Sequence, residues 1–354
     1  MGCCCCCKDK TKFDESTPIE PLSLKISIGK FKQLKVIGKG AFGKVFLVQK
    51  ENTNEYYAMK RLKKSELKNK KQKEHILNER DTLIKLNHPF IVKLYYAFQD
   101  ENNLYFITEF MQGGQLFTYL KNNAQLKTKQ AKFYLSEILL GLEYIHKNNI
   151  IYRDLKPENI LIDKNGHIKL SDFGLSKILN ENNDITYTFC GTSYYQAPEI
   201  NLGKGYDRMC DFWSFGIIMF EMICGYKPFD INEKKKVIID YNNLTISFID
   251  DIKDSSKDLI KKLLVVNPKE RIGFNSIDDI KNHDFFKNVD FNKVLSKEEI
   301  PPFIPQIDND LDLKYFDTKF TDMELQSFEN GDFLNNDDNG NDNNEFEGFS
   351  YSED

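Results

Sequence analysis

The sequence has no apolar stretch long enough to cross a membrane. Its longest, Phe212 to Cys224, is interrupted by Glu221 and falls well short of the ~20 residues that a spanning helix requires. No apolar segment typical of a secretory leader precedes the cysteine run near the N-terminus. We therefore predict neither a transmembrane helix nor secretion.

Paired cysteines are also missing. Five of the eight cysteines form the run Cys3 to Cys7, and Cys190, Cys210 and Cys224 are scattered through the rest of the chain. Adjacent cysteines form only strained disulfides, and no spacing suggests paired zinc ligands. These features predict a reducing, intracellular compartment.

An excess of positive charge is absent as well. The 354 residues carry 49 lysines and arginines against 54 aspartates and glutamates, a net charge of −5. This balance argues against a nucleic acid held by phosphate contacts, so we expect no nucleic-acid partner. The hydrophobic content of 40% is that of an ordinary globular protein.

Composition divides the chain into three zones, and no internal repeat is present. Residues 1–30 combine the cysteine run with a polar stretch that lacks a core of its own, and we expect them to be poorly ordered. Residues 31–286 hold nearly all of the regular periodicity. Residues 287–354 form a tail, in which the stretch from Asn330 to Asn344 is too polar to order itself.

Periodicity within residues 31–286 changes from strand-like to helical along the chain. Strands are predicted at Phe31–Ile37, Val45–Val48, Tyr56–Lys60 and Leu104–Phe110, and helices within Ser65–Leu86 and at Phe212–Cys224. The fold class is therefore α+β with two lobes, a small β-rich lobe with one important helix and a larger helical lobe.

A glycine-rich segment, GKGAFGKV, runs from Gly38 to Val45. Glycines let backbone N–H groups approach phosphate oxygens without a Cβ in the way. A dinucleotide-binding fold would place a helix after the third glycine, but Val45 to Val48 read as a strand. The segment therefore predicts a hairpin over phosphates.

Lys60 ends the next predicted strand, and Glu79 lies on the charged helix that follows. Either residue alone is most simply a solvated side chain. Together, after the glycine-rich hairpin, they predict an ion pair in which Lys60 contacts ATP phosphates and Glu79 orients it.

The stretch IYRDLKPENI, from Ile151 to Ile160, carries the catalytic chemistry. Phosphoryl transfer needs a carboxylate that accepts or orients the substrate hydroxyl proton, and Asp154 fits this role. Lys156 can neutralise charge on the γ-phosphate. Asn159 and Asp172, the latter in Asp-Phe-Gly, supply the oxygen ligands that Mg²⁺ prefers.

Together these motifs resemble those of the eukaryotic protein kinases, continuously over residues 31–286. The resemblance implies the bilobal kinase fold, Mg²⁺ as cofactor, and a pairing of Arg271 with Glu199 of the Ala-Pro-Glu segment. Lys156 marks the serine/threonine form of the catalytic loop. The resemblance also implies that ATP contacts the following residues: Ile37, Gly38, Lys39, Gly40, Ala41, Phe42, Gly43, Lys44, Val45, Ala58, Lys60, Glu109, Met111 and Leu161.

Several features resemble the AGC group, which includes protein kinase B, cyclic-AMP-dependent protein kinase and the S6-kinase relatives. Tyr152 replaces the histidine that usually precedes Arg-Asp. The tail contains Pro301 to Pro305, then Tyr315 to Asp317, then FEGFSY at 346–351, in the order found in that group. We expect Phe346 and Phe349 to dock on the small lobe beside the helix of Glu79.

The same resemblance implies phosphorylation at Thr188 in the activation loop and at Ser350 in the tail, by an upstream activating kinase. It places the phosphate-sensing residues around Thr188 and the substrate-binding carboxylates of the large lobe. These are His75, Arg153 and Lys177 for the phosphate, and Glu158 and Glu221 for basic residues that precede the target serine or threonine. Gln115 stands where relatives often carry glutamate, so this preference is expected to be softer. Thr108 is a small gatekeeper that leaves room for bulky inhibitors of the ATP site.

The N-terminal Met-Gly-Cys predicts myristoylation of Gly2 and palmitoylation of Cys3 and Cys4, although Cys6 stands where serine or threonine is usual. Two acyl chains anchor stably where one binds only marginally. We therefore expect a peripheral protein on the cytoplasmic face of a membrane, without a spanning segment.

The kinase motifs leave two alternative functions. A membrane-tethered pseudokinase scaffold would usually lack one of the residues that this chain retains at Lys60, Asp154 and Asp172. A small-molecule kinase is opposed by the Ala197-Pro198-Glu199 segment and by the tail. We therefore predict a monomeric kinase of protein substrates.

Overall fold

The computed structural model describes residues 26–40, 43–53, 55–179, 185–188, 190, 194–229, 245–325 and 346–353. The predictions for Gly2, Cys3, Cys4, Ala41 and Phe42 fall outside these residues, as does the stretch from Asn330 to Asn344.

The small lobe is built on a six-stranded antiparallel sheet with the order β1-β2-β3-β5-β4-β10. The strands are β1 (Phe31–Lys39), β2 (Gly43–Lys50), β3 (Tyr56–Lys63), β4 (Leu94–Gln99), β5 (Asn103–Glu109) and β10 (Tyr351–Ser352). Strands β1, β2 and β3 form a meander, β5 pairs with β3, and β4 lies outside β5. Strand β10 comes from the tail and pairs with β4.

One helix, α1 (Lys70–Lys85), packs against this sheet. It lies within the predicted segment Ser65–Leu86. It begins after Asn69, which forms a capping box with Gln72, and Lys64–Glu66 is a separate 3₁₀ turn. Ile76 and Leu83 are buried on its inner face together with Glu79.

The large lobe is mainly helical. Its helices are α2 (Leu116–Asn123), α3 (Thr128–Lys147), α4 (Pro198–Asn201), α5 (Met209–Cys224), α6 (Asp254–Leu263) and α7 (Asp278–Lys281). Two short ribbons pair β6 (Ile150–Ile151) with β9 (Lys177–Ile178) and β7 (Ile160–Ile162) with β8 (Ile168–Leu170). Every residue of α5 except Glu221 is buried, as expected for a helix that is apolar all round.

The tail continues with α8 (Phe291–Leu295), which packs on α3, and α9 (Thr318–Thr321), which packs on β1. Phe320 of α9 contacts an aromatic cluster on the outer face of the sheet. Ile26 and Ile28 contact the same cluster, so the folded part begins before the boundary at residue 30 that composition indicated. The predicted α+β class, with a small sheet lobe and a larger helical lobe, is confirmed.

Candidate active site

Lys60 lies on β3 and faces two carboxylates. Its Nζ is 2.7 Å from Glu79 Oε1 on α1 and 3.4 Å from Asp172 Oδ1. The register of the sheet places Lys60 opposite Val45 of β2 and Phe106 of β5, beneath the glycine-rich hairpin. The structure thus brings together the three residues that the sequence predicted at three separate points of the chain.

The charges of this cluster stabilise one another. Burial lowers the pKa of Lys60, but the carboxylates of Asp172 and Glu79 outweigh it, so the net direction is upward. The Lys60 ammonium in turn lowers the pKa of Asp172. Burial raises the pKa of Glu79, against the pull of Lys60. At neutral pH the site therefore holds a protonated lysine beside an ionised aspartate.

The catalytic loop holds Asp154 in a buried position. Lys156 Nζ lies 2.6 Å from Asp154 Oδ2, and the Asn159 side-chain amide donates to the same oxygen and to the Asp154 carbonyl, both at 2.9 Å. Arg153, immediately before it, has a φ of 70°, a left-handed conformation that is uncommon for a residue with a Cβ. Surrounding hydrogen bonds hold this conformation, a feature common at functional sites.

Asp211 at the start of α5 supports this loop from below. Its carboxylate accepts the backbone N–H groups of Tyr152 at 3.0 Å and Arg153 at 2.8 Å, and it pairs with His146 at 2.8 Å. Asp211 immediately precedes the helix predicted at Phe212–Cys224, and no role was predicted for it. A lone aspartate in an apolar helix was the available signal, since a buried charge needs partners.

The residues predicted to bind Mg²⁺ fit such an ion. Asn159 directs its amide nitrogen at Asp154, which leaves its oxygen as the donor for a cation. Asp172 is half exposed, has a lowered pKa and adopts a φ of 55°. Mg²⁺ is ordinarily held by one or two carboxylates together with substrate phosphates, so an aspartate and an amide oxygen are a sufficient protein contribution.

The predicted nucleotide-binding residues in the described part of the chain lie in or next to β1, β2, β3, the end of β5 and β7. Ile37 and Met111 are buried, and Val45, Ala58 and Leu161 are half-buried. The hairpin of Gly38, Lys39, Gly40, Gly43 and Lys44 joins β1 to β2. Gly43 permits close strand pairing, because a Cβ there would overlap the Arg61 carbonyl. Glu109, at the end of β5, forms an ion pair with Lys169, whose Nζ lies 2.7 Å from each carboxylate oxygen.

The three predicted phosphate-sensing residues do not all contact Thr188. Arg153 donates to the carbonyls of Leu175 and Ser176 and, at 3.3 Å, to the Tyr206 hydroxyl, which itself donates to the Thr188 carbonyl. Tyr206 was not predicted, since no local motif distinguishes it.

The other two sensing residues have different surroundings. Lys177 binds the Thr186 hydroxyl at 2.9 Å rather than Thr188. Burial lowers the pKa of His75, and the charge of Arg153 lowers it further. Thr188 is half-buried.

Glu158 and Glu221, predicted to bind substrate, share an acidic pocket with Tyr195. The Tyr195 hydroxyl donates to Glu221 Oε2 at 2.7 Å, and Tyr195 was missed by the sequence prediction. Burial raises the pKa of Glu221, and the charge of Glu158 adds to this. Glu158 Oε2 is buried without a hydrogen-bond partner in the described part of the chain. An unpaired buried carboxylate oxygen favours a cationic ligand.

The tail docks on the small lobe as predicted. Phe349 is fully buried, with its ring 5.4 Å from that of Phe106 in a T-shaped arrangement, and Phe346 is 5% exposed. Beyond them, Tyr351 pairs with Ala97 and extends the sheet as β10. Ser350, between these contacts, is exposed and available to a modifying enzyme.

Arg80 links this docked segment to the helix of Glu79. Its Nη1 donates to the Gly348 carbonyl at 2.6 Å, and its guanidinium lies 5.6 Å from the Phe349 ring centroid. Gly348 has a φ of 73°, a left-handed conformation that is unfavourable for residues with a side chain. The residue next to Glu79 is therefore held by the tail.

The tail also crosses the segment that joins the lobes. Phe316 stacks on Phe110 with ring centroids 5.6 Å apart, and the Gln112 amide donates to the Asn309 carbonyl at 2.7 Å. Gln115, which the sequence singled out, forms a bridge with Leu161 beside the nucleotide pocket.

Among the described residues, no helix is long and apolar enough to span a membrane.

Comparison with known proteins agrees with this geometry. The protein kinase domain model matches residues 31–286, and the protein kinase C terminal domain model matches residues 307–351. The chain is 43% identical over 311 residues to serine/threonine-protein kinase gad8 of Schizosaccharomyces pombe, an alignment that covers 87% of this chain and 53% of gad8.

Two further relatives are similar in extent. The cAMP-dependent protein kinase catalytic subunit of Dictyostelium discoideum is 42% identical over 302 residues, or 84% of this chain and 46% of that protein. Ribosomal protein S6 kinase alpha-3 of Homo sapiens is 44% identical over 292 residues, or 81% of this chain and 39% of that protein. The chain thus spans about half the length, or less, of these curated relatives. With both domain models matched in their usual order, it belongs to the protein kinase family, in the AGC group of serine/threonine kinases.

Proposed function

We propose that this chain is an active kinase that transfers the γ-phosphoryl group of ATP to serine or threonine of protein substrates. The observation that carries the proposal is the Lys60 ammonium, held at once by Glu79 at 2.7 Å and Asp172 at 3.4 Å. This arrangement requires α1 and the Asp-Phe-Gly segment to be in place together, which is the arrangement that phosphoryl transfer needs. It weighs against a scaffold that has lost its chemistry.

Each residue has a distinct task in this proposal. Lys60 binds phosphate oxygens of ATP, and Glu79 keeps its ammonium pointed into the cleft. Asp154 orients the substrate hydroxyl and accepts its proton as the oxygen attacks. Lys156, 2.6 Å from Asp154, lies where it can also neutralise charge on the transferred group.

A bound Mg²⁺ supplies charge neutralisation on the phosphates, and Asn159 and Asp172 would hold it. The elevated pKa of Lys60 and the lowered pKa of Asp172 keep both side chains ionised through the neutral range. Neither therefore needs to change protonation state before ATP binds.

The test is transfer of labelled phosphate from Mg-ATP to a library of serine and threonine peptides. Asp154→Asn removes the carboxylate but keeps the shape, and we expect it to abolish transfer. Asp310→Asn, an exposed change in the tail, is the matched control and should retain full activity. If the wild-type protein, phosphorylated at Thr188 and Ser350, transfers nothing to any peptide, the scaffold reading replaces this one.

We further propose a preference for basic residues before the target serine or threonine. The unpaired Glu158 oxygen and the neighbouring Glu221 support it, since a guanidinium would satisfy both. Glu158→Gln should lower kcat/KM for arginine-containing peptides more than for neutral ones.

Activation by phosphorylation of Thr188 and Ser350 belongs to the same proposal. Arg153 is linked to the Thr188 carbonyl through the Tyr206 hydroxyl, and a phosphate on Thr188 would add about −1.5 to −2 charges near it. Thr188→Ala is expected to lower kcat, whereas a variant with full activity would contradict this part.

Attachment to a membrane through acylated Gly2, Cys3 and Cys4 is the last part, and the sequence alone supports it. Gly2→Ala should abolish incorporation of a myristate analogue and move the protein to the soluble fraction. Retention on membranes without acyl incorporation would contradict it.

A further inference from the structure

A lysine lies beside the acidic substrate pocket. Lys227 follows α5 in the segment Gly225 to Phe229, which is fixed at both ends. The helix ends at Gly225, and the Phe229 ring stacks on Trp213 with centroids 5.9 Å apart. Because Pro228 comes next, the backbone of Lys227 is restricted to extended conformations. The backbone on both sides of Lys227 is therefore held in place.

The Lys227 ammonium lies over two tyrosine rings. Its Nζ is 4.0 Å from the ring centroid of Tyr194 and 5.2 Å from that of Tyr195. Such contacts with aromatic faces attract a cation electrostatically. The Tyr195 hydroxyl, at the far end of the same ring, donates to Glu221 at 2.7 Å. The lysine therefore lies one side chain away from the carboxylate.

The charge of Lys227 affects the pKa of Glu221. Burial raises the pKa of Glu221, whereas the Tyr195 hydrogen bond and the charge of Lys227 lower it, and the charge of Glu158 raises it. Among the residues that the structure describes, these are the titratable groups that act on Glu221. Lys227 thus favours the ionised form of Glu221 and offsets part of the repulsion from Glu158.

We propose that Lys227 is a specificity-determining residue, which gives the Glu158–Glu221 pocket a countercharge of the chain's own and so weakens its selection for arginine in substrates. The inference rests on the proposed function, because it concerns the substrate class of the same site.

The physical reason is electrostatic competition, since Lys227 and a substrate arginine interact with the same two carboxylates. An arginine entering the pocket meets two carboxylates whose negative potential Lys227 partly offsets, and its guanidinium is repelled by the ammonium. Selection is weakened rather than abolished, because Glu158 Oε2 keeps no partner in the described part of the chain. Peptides without arginine are therefore accepted more readily than the two carboxylates alone would allow.

The experiment compares kcat/KM for paired serine peptides that carry arginine or glutamine at the position where the wild type discriminates most. Lys227→Met keeps the apolar stem and removes the charge. We expect the arginine-to-glutamine ratio to rise about tenfold, equivalent to about 1.4 kcal/mol, through a lower KM for the arginine peptide. Lys261→Met is the matched control, because Lys261 lies over the Phe248 ring at 5.9 Å, and it should leave the ratio unchanged.

Two further variants separate charge from structure. Lys227→Arg should preserve the wild-type ratio, and Lys227→Gln should raise it as Lys227→Met does, with thermal unfolding as the check on folding. Adding Glu221→Gln to Lys227→Met should cancel most of the rise. If the ratio is unchanged in both neutral variants while the enzyme still phosphorylates the peptides, the role of Lys227 is overturned and the proposed function stands. Absence of peptide phosphorylation by the wild type overturns the proposed function and this inference with it.

Discussion

The docked phenylalanines offer the sharpest test of how the tail supports the site. Phe349 is fully buried and Phe346 is 5% exposed, and the Phe349 ring contacts Phe106 of β5. Phe106 is paired in the sheet with Lys60, whose Nζ lies 5.9 Å from its ring. Replacing both phenylalanines with alanine should therefore weaken the support for Lys60 without touching it.

The expected size follows from the buried area. Burying one such side chain contributes roughly 1.5–3 kcal/mol, so the pair contributes roughly 3–6 kcal/mol to docking. Since about 1.4 kcal/mol is a tenfold change in an equilibrium, the docked population should fall by a factor on the order of 10²–10⁴ relative to the undocked one. The Arg80 bond to Gly348 would be lost with it. We expect kcat/KM to fall at least about tenfold.

The assay is peptide phosphorylation at fixed Mg-ATP, with thermal unfolding measured on the same samples. Leu311→Ala, an exposed change elsewhere in the tail, is the control and should affect neither quantity. A synthetic peptide of residues 345–354 should restore part of the activity of the double variant. Unchanged kcat/KM in the double variant would refute the link from the tail to Lys60.

Three other outcomes are expected. Arg271→Leu removes the partner of Glu199, whose oxygens it binds at 2.9 and 3.0 Å, and should cost about 3–5 kcal/mol in urea unfolding because a buried charge is left alone; a loss below 1 kcal/mol would contradict this. The pKa of His75, lowered first by burial and then by a neighbouring arginine, should rise when Thr188 is phosphorylated, since a phosphate favours the protonated ring; an unchanged NMR titration would argue against contact. The pKa of Glu221 is raised by burial, so this carboxylate takes up its proton at a higher pH than an exposed one, and selectivity for arginine should decline early as pH falls; a ratio that is flat from neutral pH to pH 5 would exclude this.

The parts of the site that the sequence predicts are those that lie within short segments. The glycine-rich hairpin and the catalytic loop around Asp154 have a fixed residue order because each binds one ligand with a continuous stretch of backbone. The pairing of Lys60 with Glu79 followed from their position after that hairpin. Strand β4 was not predicted, although its aromatic residues lie between the turn-forming residues 87–89 and 100–103.

The parts that the sequence missed depend on contacts between distant segments. Tyr206 joins Arg153 to the Thr188 carbonyl only once α5 and the activation segment are packed together. Lys227 is likewise an ordinary surface lysine in the sequence, and its place over two tyrosine rings appears only in the folded chain. No local pattern encodes such partners, since each depends on the geometry of the whole lobe.

Strand β5 connects the docked tail to the strand that carries Lys60. The tail contacts this strand through Phe349 on Phe106, and it contacts the residue just past the end of the strand through Phe316 on Phe110. Between these two contacts the strand is hydrogen-bonded along its length to β3, which carries Lys60. A packed strand transmits displacement because protein interiors have few voids into which it can relax. We therefore expect the position of Lys60 to depend on tail contacts near both ends of one strand, and docking of the tail to be part of assembling the active site.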